Sequence, residues 1–468
     1  MDTRSSTLLE AAAALRSGVV SSLELLEAAC AAADRWDRSL GIYVSRTDDR
    51  ARAAAERADR ELAAGRDRGP LHGIPFGVKD LIAVAGIPTT GQSLVQRPEW
   101  RAGGNATVVD RLEAAGAVLT GKTSTMEFGC GLPDPGKPFP VPRNPWDTNR
   151  WAGGSSSGTA SGLVAGTFLA GLGTDTAGSI RMPAAFCGVT GLAPTFGLVP
   201  TAGCIPLGYS LDRVGPLAHG VRDCAAVLAV LTGGRVDAFI TGDSDADLSG
   251  LRIGVVRKHH LPAAADPALA GVFDSAVGVL GAAGATLSEI ELPFWAEANT
   301  ATLVVAAAEG YAYHRNDLID SWSEYTVAAR ALLATGALLS GADYVQAQRV
   351  RALTADAVAA LFETVDVVVT PTAAVPAPPL DALADEYGHQ DNAGVFGMVF
   401  TPYWNSVANP VLSIPMGCTE TGLPLGMQIA AARGMDALAL RVGAVFQDRT
   451  DWHRRRPVAA ASAPESIG

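Results

Sequence analysis

Apolar positions near the start of the chain recur at helical spacing and are broken by charges. Leu8 to Leu15 is interrupted by Glu10 and closely follows Arg4, a pattern that predicts an amphipathic helix and does not indicate a secretion signal. Ser21 and Glu24 form a capping box ahead of a helix predicted over Leu23–Trp36, and Thr47–Ala63 continues the pattern with Arg and Glu on its outer face. From Gly73 short apolar runs bounded by Gly and Pro alternate with helical stretches. Strands are predicted at Ile74–Val78 and Val118–Leu119, and helices at Ala106–Ala115, Ser157–Phe168 and Arg222–Leu231. Beyond Gly234, strands at Leu251–Val256 and Thr286–Leu292 flank a helix at Pro267–Ala283. A long helical region follows from Asn299 to Thr364, then strands at Val365–Thr370 and Leu425–Ala430 and a helix at Asp436–Val445. This alternation predicts an α/β fold, a sheet covered by helices on both faces. The tail after His453 is expected to be mobile.

With 468 residues, 48% of them hydrophobic, the chain can bury a large core. Lys plus Arg total 36 against 48 for Asp plus Glu, a formal charge of −12, which repels polyanions and anionic lipid surfaces. Nucleic acid and membrane are therefore not expected partners. The longest small-residue run, Ser157 to Leu172, is Gly-rich and too short to span a bilayer. Six cysteines without CxxC spacing point to free thiols, and the adjacent His259 and His260, without an HExxH, to exposed loop histidines and no metal site. A cytoplasmic protein is expected.

Glycine is dense between Gly153 and Gly220, and three glycine motifs compete for the chemistry. Gly116 to Thr123 matches the phosphate-loop pattern GxxxxGK[ST], but Gly116 ends a predicted helix and Val118–Leu119 places a strand inside the supposed loop. Gly154 to Gly158 matches the GxSxG elbow of α/β-hydrolases, with Ser156 as nucleophile and His314, His389 or His453 as its partner. Its flank, Pro142 to Trp151, is too rich in Pro, Asn and Asp to be the buried strand an elbow follows. The third possibility takes Gly153 through Arg181 as one unit with Ser155, Ser179 and the upstream Lys79, and it explains the most residues.

A serine hydroxyl is a weak nucleophile and needs a base within hydrogen-bond reach, and a second hydroxyl can pass a proton between the two. A lysine of ordinary pKa, about 10.4, is neutral only about once in 2,500 molecules at pH 7, a handicap of roughly 4.6 kcal/mol that burial must remove. Lys79 lies in the apolar segment Gly73-Ile-Pro-Phe-Gly-Val-Lys79, which suits that purpose. Backbone N–H groups of Thr176, Ala177, Gly178 and Ser179 can converge on a developing oxyanion, each donor contributing roughly 3 kcal/mol.

These residues closely resemble the amidase signature family, from the Lys79 segment through Gly153–Arg181 to Ser210-Leu-Asp-Arg-Val-Gly-Pro216, and on to Asp366–Thr372 and Gly422–Gln428. The resemblance spares only about residues 235–360. It implies one α/β/α domain around a central twisted, mixed sheet, and a Ser-cis-Ser-Lys triad that cleaves amides through an acyl-enzyme. Ser179 is then the nucleophile, Ser155 the bridging serine after a cis peptide, and Lys79 the base and later acid. Asp175, Arg181 and Ser156 become supporting residues, and the backbone of Gly129 faces the substrate. Ala177 departs from a frequent Gly, and Asn409-Pro410 follows Ala408 where Gly-x-Pro is common; both bear on substrate range.

The chain is thus expected to be a single domain over 1–468, with a helical segment (1–66), a signature core (67–234), a divergent substrate-determining region (235–364), a C-terminal part of the core (365–452) and the tail (453–468). The expected activity is hydrolysis of a carboxamide or related acyl–nitrogen bond, an acyl hydrazide or aryl amide among the candidates, without cofactor or metal. Trp146, Tyr209 and Trp404 are candidates for an acyl pocket. Two further readings stay open, a glutamine-dependent amidotransferase A-type subunit that works with a partner, and the esterase built on Ser156. The partner otherwise expected is a small amide-type substrate, with a homodimer left open.

Overall fold

The computed structural model describes residues 2–95, 97–101, 103–234, 247–386 and 394–457. Its strands are β1 (Tyr43–Arg46), β2 (Pro75–Lys79), β3 (Val118–Thr123), β4 (Arg143–Asn144), β5 (Asp147–Trp151), β6 (Ala170–Asp175), β7 (Thr190–Ala193), β8 (Arg213–Ala218), β9 (Arg252–Val255), β10 (Thr286–Glu289), β11 (Val367–Pro371), β12 (Val411–Cys418) and β13 (Pro424–Ala431). Eleven form one sheet in the order β1-β3-β2-β6-β8-β7-β12-β13-β11-β9-β10, and β4 and β5 form a separate hairpin. The sheet is mixed: β3, β2 and β6 run parallel, as do β11, β9 and β10, and the strands between are antiparallel. The fold is of the expected α/β class.

Alternation along β2 shows how the two faces are covered. Phe76 and Val78 enter a core shared with the helices Leu8–Arg16, Thr107–Ala114, Val221–Thr232, Leu269–Ala282 and Asp436–Asp448. Gly77 points the other way, toward Phe168, in a core built by the helices Ser157–Ala165 and Arg181–Cys187 and part of Ser22–Leu40. That second face is lined by glycines for a steric reason. A Cβ would lie 2.7 Å from the Phe168 ring at Gly77, 2.6 Å from Thr159 at Gly171 and 2.6 Å from Ser156 Oγ at Gly173. The helix Ser157–Ala165 therefore beds directly on the backbone of β2 and β6, bringing Ser155 and Ser156 at its N-terminal end against the strand ends.

Most predicted elements recur with shifted ends. The helix predicted to reach Phe168 stops at Ala165, because Gly166 takes a left-handed conformation (φ 78°) and Phe168 turns back into the core. The long helical region resolves into Trp295–Asp320, Val327–Thr335 and Gly341–Thr364, the last two opened by the capping residues Thr326 and Ser340. In the main sheet, strands β1, β6, β7, β8 and β12 escaped prediction. β6 reads Ala-Gly-Leu-Gly-Thr-Asp and is buried throughout, so neither alternation nor β-branched residues mark it. The predicted mobile tail coincides in part with a short 3-10 turn at Trp452–Arg454, and residues 458–468 lie outside the described residues.

Phe168 is fully buried, fills the space left by Gly77 and Gly162, and meets Tyr43 edge-on at 6.0 Å. Phe168→Ala is expected to destabilise the protein by about 3–5 kcal/mol, read as a lowered urea midpoint at unchanged slope.

Candidate active site

Lys79 is the last residue of β2 and lies on the glycine-lined face, fully buried. Its Nζ donates to Ser155 Oγ at 2.7 Å and to Thr174 Oγ1 on the neighbouring β6 at 2.8 Å. The Gly154–Ser155 peptide is cis, the geometry that the resemblance implied. Burial pushes the Lys79 ammonium down to about 7, against the weaker opposing pull of Asp175, then Asp212 and Cys204. Thr174 went unmarked in the sequence because β6 was not recognised.

Ser156 is fully buried, donates from Oγ to the Thr174 carbonyl at 3.2 Å and accepts from the Thr174 N–H at 3.3 Å. Its own N–H donates to the Ser179 carbonyl at 3.1 Å, which ties the segment carrying Ser155 to the loop carrying Ser179. Ser179 itself is partly exposed, one residue ahead of Ile180 and the helix Arg181–Cys187. The histidines weighed as partners for Ser156 have other surroundings: His314 Nδ1 lies 3.0 Å from the Tyr325 hydroxyl in an aromatic cluster, and buried His453 lies in the Trp452–Arg454 turn. His389 lies outside the described residues.

Asp175 ends β6 and organises the turn that follows. It accepts from the N–H of Gly178 at 2.8 Å and of Ile180 at 3.1 Å, and forms a fully buried ion pair with Arg181 at 3.0 Å. Burial alone would raise its carboxyl, but the Arg181 guanidinium, with Asn405 and Arg213, holds it well below the usual carboxylate range. Arg181 further donates to the Thr401 carbonyl at 2.9 Å, Gln428 at 2.8 Å and Asn405. The pair thus braces this turn.

One expectation is corrected. The Gly178 N–H, counted among the oxyanion donors, is turned to Asp175 Oδ1 and leaves the set. A Cβ at Gly178, where φ is 129°, would stand 1.8 Å from Thr401 Oγ1, so this turn admits only glycine. Among the described residues, the N–H groups of Thr176, Ala177 and Ser179 have no protein acceptor.

A small cavity of about 70 Å³ opens beside this loop, walled by Leu81, Gly129, Thr176, Leu207, Tyr209 and Asp212 among others. Gly129 is in the wall, its missing Cβ 3.7 Å from Ser155 Oγ. Of the three aromatic candidates only Tyr209 lines the cavity. Trp404 is buried in a separate core, and the Trp146 indole donates to the Cys187 carbonyl at 2.8 Å. His260 also departs from expectation: it is buried against Trp295 and Phe400, both at 4.5 Å between ring centroids, and only His259 is exposed. In the phosphate-loop look-alike, Val118–Thr123 is strand β3 and Lys122 is fully buried, 2.9 Å from Asp80. No helix among the described residues is long and apolar enough to cross a membrane.

Comparison with known proteins gives the class of enzyme, a hydrolase of carbon–nitrogen bonds. The family model Amidase matches residues 24–440, and the chain belongs to that family, the amidase signature enzymes. It is 36% identical over 96% of its length, and 98% of the relative's, to the A-type subunit of a glutamyl-tRNA(Gln) amidotransferase from Chloroflexus aggregans. Among solved structures, an amidase superposes with a TM-score of 0.85 at 30% identity, covering 95% of this chain and 100% of that one. A 6-aminohexanoate cyclic dimer hydrolase superposes at 0.86 with 26% identity, covering 98% and 100%.

Arg181→Met leaves the Asp175 carboxylate buried without its counter-ion and is expected to cost about 3–5 kcal/mol of stability, measurable by urea denaturation at pH 7. Lys79→Met should act in the opposite sense. In the unfolded chain the lysine titrates near 10.5, in the folded protein near 7. The penalty for burying the ammonium is therefore fully present below pH 7, is relieved as pH rises toward 10.5 and is absent above it. Lys79→Met is expected to gain roughly 3–5 kcal/mol over wild type at pH 6 and to lose that gain by about pH 10.5 in urea melts across the range.

Proposed function

We propose that this amidase-family hydrolase cleaves its acyl–nitrogen bond with Ser179 as nucleophile, Ser155 as proton relay and Lys79 as base. The observation that carries the proposal is the buried 2.7 Å hydrogen bond from Lys79 to Ser155, in a setting that brings the lysine near 7. Neutral Lys79 takes the Ser155 proton while Ser155 takes that of Ser179. The Ser179 oxygen bonds to the acyl carbon, whose oxyanion is met by the N–H groups of Thr176, Ala177 and Ser179. As the C–N bond breaks, the departing nitrogen receives the proton that Lys79 had taken, returned through Ser155. Water then attacks the ester by the same relay and frees the acid.

The Ser156 elbow has less support, because that hydroxyl is fully buried and doubly bonded to the Thr174 backbone. An amidotransferase A-type role in a complex is supported by the 36% identity to the Chloroflexus aggregans amidotransferase chain. The small cavity favours a compact acyl group in either case. A cytoplasmic setting suits the free cysteines.

Intact mass after treatment with a fluorophosphonate probe, on wild type and on Ser179→Ala, Ser156→Ala and Lys79→Ala, separates the nucleophiles. The adduct is expected to vanish with Ser179→Ala, fall at least tenfold in rate with Lys79→Ala and persist with Ser156→Ala. A requirement for Ser156 alone would overturn the assignment. In wild type the labelling rate should fall as pH drops through about 7, because Lys79 acts as a base only when neutral. Ammonia release from simple amides by the purified chain supports a free-standing amidase; release from glutamine only with copurifying partners supports the amidotransferase role.

A further inference from the structure

Asp212 lies in the cavity wall just ahead of β8, and Arg213 pairs with Asp175 across the antiparallel strands β6 and β8. That register places Asp212 opposite Thr176, the first residue of the oxyanion turn. The carboxylate accepts from Thr176 Oγ1 at 2.5 Å, from the Leu207 N–H at 2.9 Å and from the Gly208 N–H at 3.2 Å. One side chain thus fastens the turn after β6 to the loop carrying Leu207 and Tyr209, which walls the cavity.

Its electrostatic setting differs from that of Asp175. Asp175 is neutralised by Arg181 in a direct ion pair, whereas among the described residues no cationic side chain bonds Asp212. The adjacent Arg213 guanidinium is turned to the carbonyls of Asn409 at 2.6 Å and Trp404 at 2.7 Å. Arg351 is held by Ser210 and the Ser406 carbonyl. Glu309, which accepts from Ser210, adds a second negative charge facing Asp212, and burial with that repulsion raises the Asp212 carboxyl to about 6. At pH 7 and above it is ionised, so its charge acts on Lys79 together with that of Asp175, and both favour the ammonium.

We propose that Asp212 is a positioning residue for acylation: it anchors Thr176 so that the oxyanion turn holds its shape against the cavity wall, and it places a negative charge without a cationic partner beside the site that holds Lys79. This rests on the assignment of Lys79, Ser155 and Ser179 given above. Two effects follow that belong to separate atoms. The anchor depends on the hydrogen bond to Thr176, and the effect on Lys79 depends on the charge.

The test measures the rate of fluorophosphonate labelling at saturating probe from pH 5 to 10 for wild type, Asp212→Asn and Thr176→Val, with the melting temperature of each variant. Asp212→Asn keeps the shape, removes the charge and puts an amide where two N–H donors need acceptors. It is expected to slow labelling about tenfold or more and to move the acidic limb to lower pH by about half a pH unit, because the lysine loses an anion that favours its charged form. Thr176→Val keeps the charge and removes the anchor, so labelling should slow by a similar factor with the acidic limb unmoved. A merely structural Asp212 would lower the melting temperature and leave the limb of Asp212→Asn at the wild-type pH, and that result overturns the proposal. So does a Thr176→Val protein that labels as fast as wild type. If Ser179→Ala still labels, the underlying assignment fails; if that control is silent and both variants behave as wild type, only the role of Asp212 falls.

Discussion

Keeping an ammonium group away from water at the end of β2 is the constraint that the rest of the site answers to. Solvated, Lys79 would hold its proton near neutrality and could not act as a base. Fully buried against the glycine-lined floor of β2 and β6, it is offered two hydroxyls, Ser155 and Thr174, in place of water. Hydroxyls accept from the ammonium and can equally donate to the free amine, so the lysine can change state without leaving a polar atom stranded. The cost of burying the charged form falls on folding below neutral pH.

The glycines make that burial possible. Gly77, Gly171 and Gly173 remove side chains from one face of two parallel strands, and the helix Ser157–Ala165 descends into the space. Its N-terminal end then brings Ser155 to Lys79, while Ser156 locks onto the Thr174 backbone and onto the Ser179 carbonyl. Three consecutive serines thereby separate into different roles by direction alone. Ser155 faces the lysine, Ser156 faces the strand, and Ser157 donates back to the Gly153 carbonyl.

Charge is arranged around this floor in two ways. Asp175 and Arg181 are paired in a network that reaches Thr401, Asn405 and Gln428 and braces the turn between them. Among the described residues Asp212 is bonded by neutral donors alone, and it lies in the cavity wall.

By itself the sequence determined the class of fold and the family, and it named the candidate residues. The capping box at Ser21, the short apolar runs and the glycine-rich stretch are local signals, and local signals survive without a structure. Tertiary structure decided what depends on approach between distant segments. β6 is a strand because β2 and β8 bond it on either side, since Ala-Gly-Leu-Gly-Thr-Asp carries no periodicity of its own. Gly178 leaves the oxyanion donor set because Asp175 folds back on it, and Thr174 and Asp212 enter the site only through strand register. His260 is buried because Trp295 and Phe400 close over it. A side chain's type is written in the chain, but its exposure, its partners and therefore its pKa are properties of what other segments bring against it.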